Sequence, residues 1–314
     1  MINFRYHLVS LLAVFLALAV GIVVGSTVVD RAIVDGLRSR IDEVERKADA
    51  RKDENERLRA EVGRLEEYAE ETAPWAVAGR LTGVPVAVIA ESDADDGALD
   101  AAVLALRDAG ASAPVLIRLE GRWAPDDAEE AARVAEALGA PGAAGDPARL
   151  RALAADRLVA ELRTPGAPLL GDLVEAGLVA VEGVEGGDPD GLGAWPGPAL
   201  RTLVVTRGGL DPEASERADR DATVTALLDA LTAAEVPTVL AEAHPGGDGE
   251  ERGRRVVIAR DGDHGDAVST VDDLDRVEGR VAAVLALADL ARGLVGHYGQ
   301  GRGADAPVPV WPGS

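Results

Sequence analysis

Hydrophobic and polar positions divide the chain into three stretches with three different periods. Residues 8–29 (LVSLLAVFLALAVGIVVGSTVV) carry no charge. As a helix they would be about 33 Å long, enough to cross a hydrocarbon core of about 30 Å. Residues 30–72 are polar and charged, with apolar side chains returning in 3-4 spacing, the heptad signature of a coiled coil. From residue 76 to 298, short buried-strand runs alternate with helical patterns, which predicts a mainly parallel sheet covered on both faces. The expected fold class is α/β: an N-terminal single transmembrane helix, a long coiled-coil helix, then a three-layer, mainly parallel-sheet domain of flavodoxin or Rossmann type. Expected boundaries are 1–29 for the transmembrane anchor, 30–72 for the coiled coil, 73–300 for the α/β domain and 301–314 for a flexible tail.

Arg5 and His7 precede the apolar run, and Asp30 and Arg31 close it. A cleaved signal peptide is the competing reading, with Ala17-Leu18-Ala19 imitating a cleavage site. The run continues well past Ala19, further than a signal sequence needs, and this favours an uncleaved anchor. Ala17, Gly21 and Gly25 recur at four-residue spacing on one face, where small residues let a second helix pack closely. Basic residues after the span (Arg31, Arg38, Arg40, Arg46, Lys47) outnumber Arg5 before it, but interleaved acids and a large following domain blunt the orientation rule. The body is expected outside the cytoplasm, at the cell envelope, with the side left open.

In the heptad stretch the d positions read Leu37, Val44, Arg51, Leu58 and Leu65, and the a positions Ile41, Ala48, Asn55, Val62 and Ala69. A single solvated charged helix is the alternative. Pro74 is expected to stop the helix, giving a rod of about 65 Å. Arg51 and Asn55 in the seam weaken it while fixing register or partner. In a parallel homodimer, Arg40 with Glu45 and Glu54 with Arg59 attract across the seam, whereas Lys47 with Lys52 and Glu61 with Glu66 repel. Each such pair contributes only a few tenths of a kcal/mol, so the four nearly cancel. Homo-oligomerisation then needs the anchor to raise the effective concentration, or a helix of another envelope protein completes a hetero-coiled coil.

Within the body, strands are expected at 84–90, 114–119, 200–206 and 238–241, with an edge strand at 254–259. Helices are expected at 97–109, 127–138, 147–162 and 222–234, with a long last helix over 271–294. Residues 183–197 (GVEGGDPDGLGAWPG) read as a turn-rich insertion.

Charge and composition narrow the chemistry. The 314 residues carry a net charge of −23, with 55 acids against 32 basic residues, and so repel a phosphate backbone; no nucleic-acid partner is expected. With no cysteine, disulfides, thiolate metal sites and thiol catalysis are excluded, and with one methionine a soft Cu(I) site is chemically implausible. The acidic loop 91–96 (ESDADD) follows a strand and reads either as a hard-cation site or as the N-cap of the next helix, the cap being the simpler reading. The loop 261–266 (DGDHGD) reads as a metal loop or a turn, with the turn favoured by its Asp-Gly steps. Thr206-Arg207-Gly208-Gly209 reads as an anion-binding backbone turn or a tight strand exit. Spacing alone assigns no catalytic, cofactor-binding or metal-binding residues, and no enzyme is indicated.

Both ends of the chain resemble a known family. Phe4-Arg5-Tyr6-His7-Leu8-Val9-Ser10-Leu11, leading through Ala13–Leu18 to Gly21 and Gly25, resembles the start of the actinobacterial MctB copper transport proteins. So do Ser269-Thr270-Val271-Asp272-Asp273, Gly279, Val284-Leu285-Ala286-Leu287 and Gly296-His297-Tyr298-Gly299. The resemblance implies copper transport and homeostasis at a membrane, with a pore-like outer-membrane role proposed for mycobacterial members. Related proteins also resemble septal envelope factors that switch on cell-wall hydrolases, so a single-pass envelope scaffold is the alternative. A pore needs a closed barrel or several spans, which one helix does not supply. The motif supplies no ligand cluster: His297 and Asp272 are expected at opposite ends of one helix, and the Ser-Thr-Val-Asp-Asp segment is expected to cap it.

Overall fold

The computed structural model divides into two compact units, residues 1–66 and 67–314. It describes residues 4–123, 125, 127–164, 171–182, 199–208, 214–244 and 253–310. Helix α1 (Phe4–Val77) is a single run of 74 residues. Its segment Phe4–Gly25 is long and apolar enough to cross a membrane, and none of it is buried within the chain. The large apolar heptad residues Leu37, Ile41, Val44, Leu58, Val62 and Leu65 are all between 47% and 65% exposed, so the chain itself covers none of them.

Pro74 does not stop the helix where expected: α1 runs on through it to Val77. A proline takes one hydrogen bond out of the helical ladder, a loss that neighbouring packing has to offset. That packing is present, because the end of α1 is tied down within the second unit. Val77 is 1% exposed and the following Leu81 is fully buried. Arg280 donates to the Glu70 carboxylate.

The second unit is built on seven strands: β1 (Pro85–Ala90), β2 (Ser112–Leu119), β3 (Val179–Glu182), β4 (Arg201–Arg207), β5 (Thr238–Ala243), β6 (Val268–Val271) and β7 (His297–Tyr298). Their order is β3-β2-β1-β4-β5-β6-β7, parallel throughout except for the antiparallel edge strand β3. The helices are α2 (Asp96–Asp108), α3 (Ala128–Ala137), α4 (Pro147–Arg163), α5 (Gly171–Glu175), α6 (Ala214–Ala233), the single turn α7 (Val257–Arg260) and α8 (Val277–Leu290). Strand alternation sorts the core onto two faces. Ala87, Ile89, Val204 and Leu240 face a cluster with α3, α4 and α6, whereas Val86, Val88, Val205 and Val239 face α2 and α8. Because both faces are covered, β1 and β5 are buried at every residue, and β1 reads in the sequence as a continuous apolar run.

The expectations at 84–90, 97–109, 114–119, 127–138, 147–162, 200–206, 222–234 and 238–241 each meet an element of the same type. Two others are corrected. Residues 254–259 form no edge strand but turns leading into α7. Val256 and Ala259, three apart, are the fully buried pair, which is a helical spacing and not a strand's. The long helix expected over 271–294 is shorter: Val271 closes β6, whose Val268, Thr270 and Val271 are β-branched and which pairs with β5, and α8 runs only over Val277–Leu290. Strands β3 and β7 and helix α5 were not expected. The insertion 183–197 lies outside the described residues, as do residues 311–314. In the stretch expected as a tail, Gly301 donates its backbone N–H to Asp272, and Val308 packs against the α2/α8 core.

Candidate functional site

The chain leaves β1 toward β2 and returns with β4 on the opposite side of β1, so the sheet changes its direction of growth between these two strands. In open α/β sheets the carboxyl ends at such a point form the crevice where ligands sit. Glu91, the residue after β1, stands there, 8% exposed. One carboxylate oxygen accepts from Arg255 Nη2 at 2.5 Å, and the other accepts the backbone N–H of Arg207 at 3.2 Å. Arg255 also donates to Asp221 on α6. Arg207 Nη1 donates to the Asp93 carbonyl at 3.1 Å, and Arg220 donates to the Asp93 carboxylate. Burial pushes the Glu91 carboxyl above its ordinary value, against the pull of the Arg255 guanidinium and the Arg207 N–H.

Glu242, the second-to-last residue of β5, is fully buried. It accepts the backbone N–H of Gly253 at 3.1 Å and of Arg255 at 2.8 Å. Burial raises its pKa too, and these two N–H groups and that of Val256 oppose the shift. A Cβ on Gly208 would land on the Glu242 side chain, so this exit from β4 has room only for glycine. At the end of β6, Asp272 is likewise fully buried. It accepts from Arg260 Nη2 at 3.0 Å and from the backbone N–H groups of Gln300 and Gly301 at 2.8 and 2.9 Å. Arg260 reaches further, to Thr270 Oγ1 at 2.7 Å and the Tyr298 carbonyl at 2.9 Å.

The crevice is therefore filled from within. Three buried carboxylates, each after or at the end of a different parallel strand, are met by the segment 253–260 through Arg255, Arg260 and backbone N–H groups. Such an arrangement locks the carboxyl edge of the sheet; each arginine is engaged by the chain's own acids.

The sequence candidates resolve as follows. In the 91–96 loop, Asp95 is the N-cap of α2, its carboxylate accepting from Ala98 N at 2.8 Å. Asp96 pairs with Arg118 at 2.8 Å. The 261–266 loop is a turn, and its His264 meets Asp229 at 2.9 Å. The Thr206–Gly208 exit does receive an anion on a backbone N–H, and that anion is Glu91; Gly209 lies outside the described residues. His297 and Asp272 are not at opposite ends of a helix, because β7 pairs with β6 and the Asp272 N–H donates to the Tyr298 carbonyl. His297 Nδ1 lies 3.1 Å from Thr270 Oγ1, and burial and Arg260 lower its pKa. In the Ser-Thr-Val-Asp-Asp segment Asp272 holds the chain after β7, while the N-cap position of α8 is Arg276, with no side-chain cap bond of its own. Among the described residues no three His, Asp or Glu side chains gather into a metal-holding group.

Glu242, Arg255 and Arg260 were not singled out in the sequence. A lone glutamate inside the apolar strand TVLAEA was the one visible signal, since a charge in a doubly covered strand must find partners. In α1, a shallow groove on the apolar segment is lined by Ala13, Leu16, Ala17, Val20, Gly21 and Val24. The heptad residues Ala48, Arg51 and Asn55 are exposed, as are their larger neighbours in the seam.

The family described as "Copper transport outer membrane protein, MctB" matches residues 1–309. The curated protein "Copper transporter MctB" of Mycobacterium tuberculosis is 31% identical over 323 aligned residues, covering 97% of this chain and 98% of the relative. Its namesake in Mycobacterium leprae is 30% identical with the same coverage.

Proposed function

We propose, for a chain that belongs to the MctB family of copper transport proteins, a non-enzymatic role in copper transport and homeostasis at a membrane. The observation that carries it is a match running from the anchor through the rod to the far end of the sheet domain, with nearly the whole length of both chains aligned. In this reading Phe4–Gly25 spans the bilayer, and the body, residues 67–314, follows the rod in the chain. One span cannot enclose a conduit, so movement of copper would require several copies or a partner. The test is total cell copper, by mass spectrometry, in strains with and without the gene under copper load. A several-fold rise on deletion, reversed by the intact chain, is expected; unchanged copper overturns the reading.

The exposed seam supports a second reading, an envelope scaffold whose coil takes a partner helix. Its core would be Leu37, Ile41, Val44, Ala48, Arg51, Asn55, Leu58, Val62 and Leu65. Here a membrane or division partner is retained by the intact chain in pull-downs. It is lost when Arg51→Leu and Asn55→Leu replace the polar seam positions that specify pairing.

A further inference from the structure

We infer that α1 pairs with α1 of a second copy of this chain, in parallel and in register, along one left-handed seam that runs from the membrane groove into the rod. This rests on α1 spanning the membrane, and on nothing concerning copper.

Two surfaces that the sequence shows separately lie on one uninterrupted helix. Counting back in sevens from Ile41 gives Val34, Thr27, Val20 and Ala13; counting back from Leu37 gives Asp30, Val23 and Leu16. Ala13, Leu16 and Val20 line the groove of the apolar segment. Three of the six groove residues thus continue the rod's heptad phase, with no insertion of three or four residues between them and Leu37.

Phase decides handedness. A straight α-helix drifts about 20° per heptad away from a strict seven-residue repeat, so the seam stays facing a partner only if both helices wind left-handed, crossing near +20°. Close packing on Ala17, Gly21 and Gly25 alone would suit a right-handed crossing near −40°, which carries the following rods apart. Only the left-handed crossing uses the groove and the rod together.

The membrane selects the occupant. Two anchors in one bilayer are parallel and at the same depth, and a copy of this chain has the same spacing between groove and seam. Asn55 then faces Asn55, a pairing that fixes register. Arg40 meets Glu45 and Glu54 meets Arg59 across the seam, while Lys47 with Lys52 and Glu61 with Glu66 oppose it. With the coil's charges near balance, tethering in the bilayer supplies the concentration that makes pairing favourable.

The chain has no cysteine, so a single introduced thiol reports on its own position. Full-length Leu16→Cys, Val20→Cys, Leu37→Cys and Leu58→Cys variants, in native membranes, are treated with a short bismaleimide. Leu18→Cys and Ala60→Cys, on the outer side of the same heptads, are the controls. Covalent dimer is expected at all four seam positions, several-fold above both controls. Three results overturn the inference: no dimer at any position, dimer at Ala17→Cys or Gly21→Cys with none at Leu37→Cys or Leu58→Cys, or rod thiols joined only to a different protein. None of these outcomes depends on cell copper, so the seam and the copper reading fail separately.

Discussion

Asp272 and Arg260 are 0% and 2% exposed as side chains and form an ion pair in the interior. Removing one partner of a buried pair leaves an uncompensated charge, at a cost of about 3–5 kcal/mol. Asp272→Ala is therefore expected to lower the unfolding free energy of the full chain in detergent by that amount, read from urea denaturation followed by tryptophan fluorescence. Glu70→Ala, which breaks the half-exposed pair with Arg280, should cost no more than about 1 kcal/mol. Glu91 and Glu242 add a pH dependence. Burial raises both folded-state values above the ordinary 4.5, so the folded chain binds protons more tightly than the unfolded one. Their contribution is then largest below the unfolded value and is lost as pH rises through the raised folded value. Going from about pH 8 to about pH 5, wild type should gain more stability than Glu242→Gln, which cannot take up that proton. A parallel pH profile for the two proteins would show that Glu242 does not titrate in this window. Little of this was legible in the sequence. Arg255 and Arg260 read as ordinary polar residues of a strand and a turn, because their partners Glu91 and Asp272 stand just past the ends of other strands, 164 and 12 residues away, where no local pattern points to them.

Elements defined by an apolar period were legible, and those defined by what they pair with were not. The run VPVAVIA and the apolar centre LVV of LRTLVVT announce β1 and β4, because burial on both faces makes successive positions apolar. Residues 254–259 look like a strand in composition, but the backbone N–H groups of Arg255 and Val256 go to Glu242, which no local pattern shows, and those of Val257, Ile258 and Ala259 go to the carbonyls of Gly253, Arg255 and Val256. Residues 271–276 read as part of the last helix for the same reason: β6, which ends at Val271, exists because β5 is beside it. Gly279 marks the true start of that helix. A Cβ there would meet the Asp273 backbone carbonyl, so Gly279→Ala has to push α8 off the turn after β6. A loss of about 1–3 kcal/mol is expected, the scale of overpacking in a close-packed site. Gly63, in the rod, has nothing within 4 Å of its Cβ position. Gly63→Ala should therefore stabilise α1 by about 0.5–1 kcal/mol, read as a gain in helicity or melting temperature by circular dichroism.

For the whole molecule, strand–helix alternation gave the class of sheet, while its order depends on pairings between residues far apart in the chain, such as Ala87 with Val115 on one side and Thr202 on the other. The same distinction governs copper. Soft Cu(I) seeks thiolate and thioether ligands, and this chain offers no cysteine and one methionine. Of its histidines, His264 is engaged by Asp229, His297 lies against Thr270, and neither is grouped with two further ligands among the described residues. Among the described residues no such cluster is present, and an assembly of several chains is one arrangement that reconciles this with the family's copper transport. The full chain in detergent, titrated against a chromophoric Cu(I) chelator, is therefore expected to leave the chelator's copper in place at stoichiometric ratio. Deletion of the gene should still raise cell copper. If the purified chain instead strips one equivalent from the chelator, a single copy carries its own site, and the assembly is no longer needed to explain how copper is handled. If it strips none and cross-linked dimers form along α1, the paired chain becomes the smallest unit in which to look for the path that copper takes.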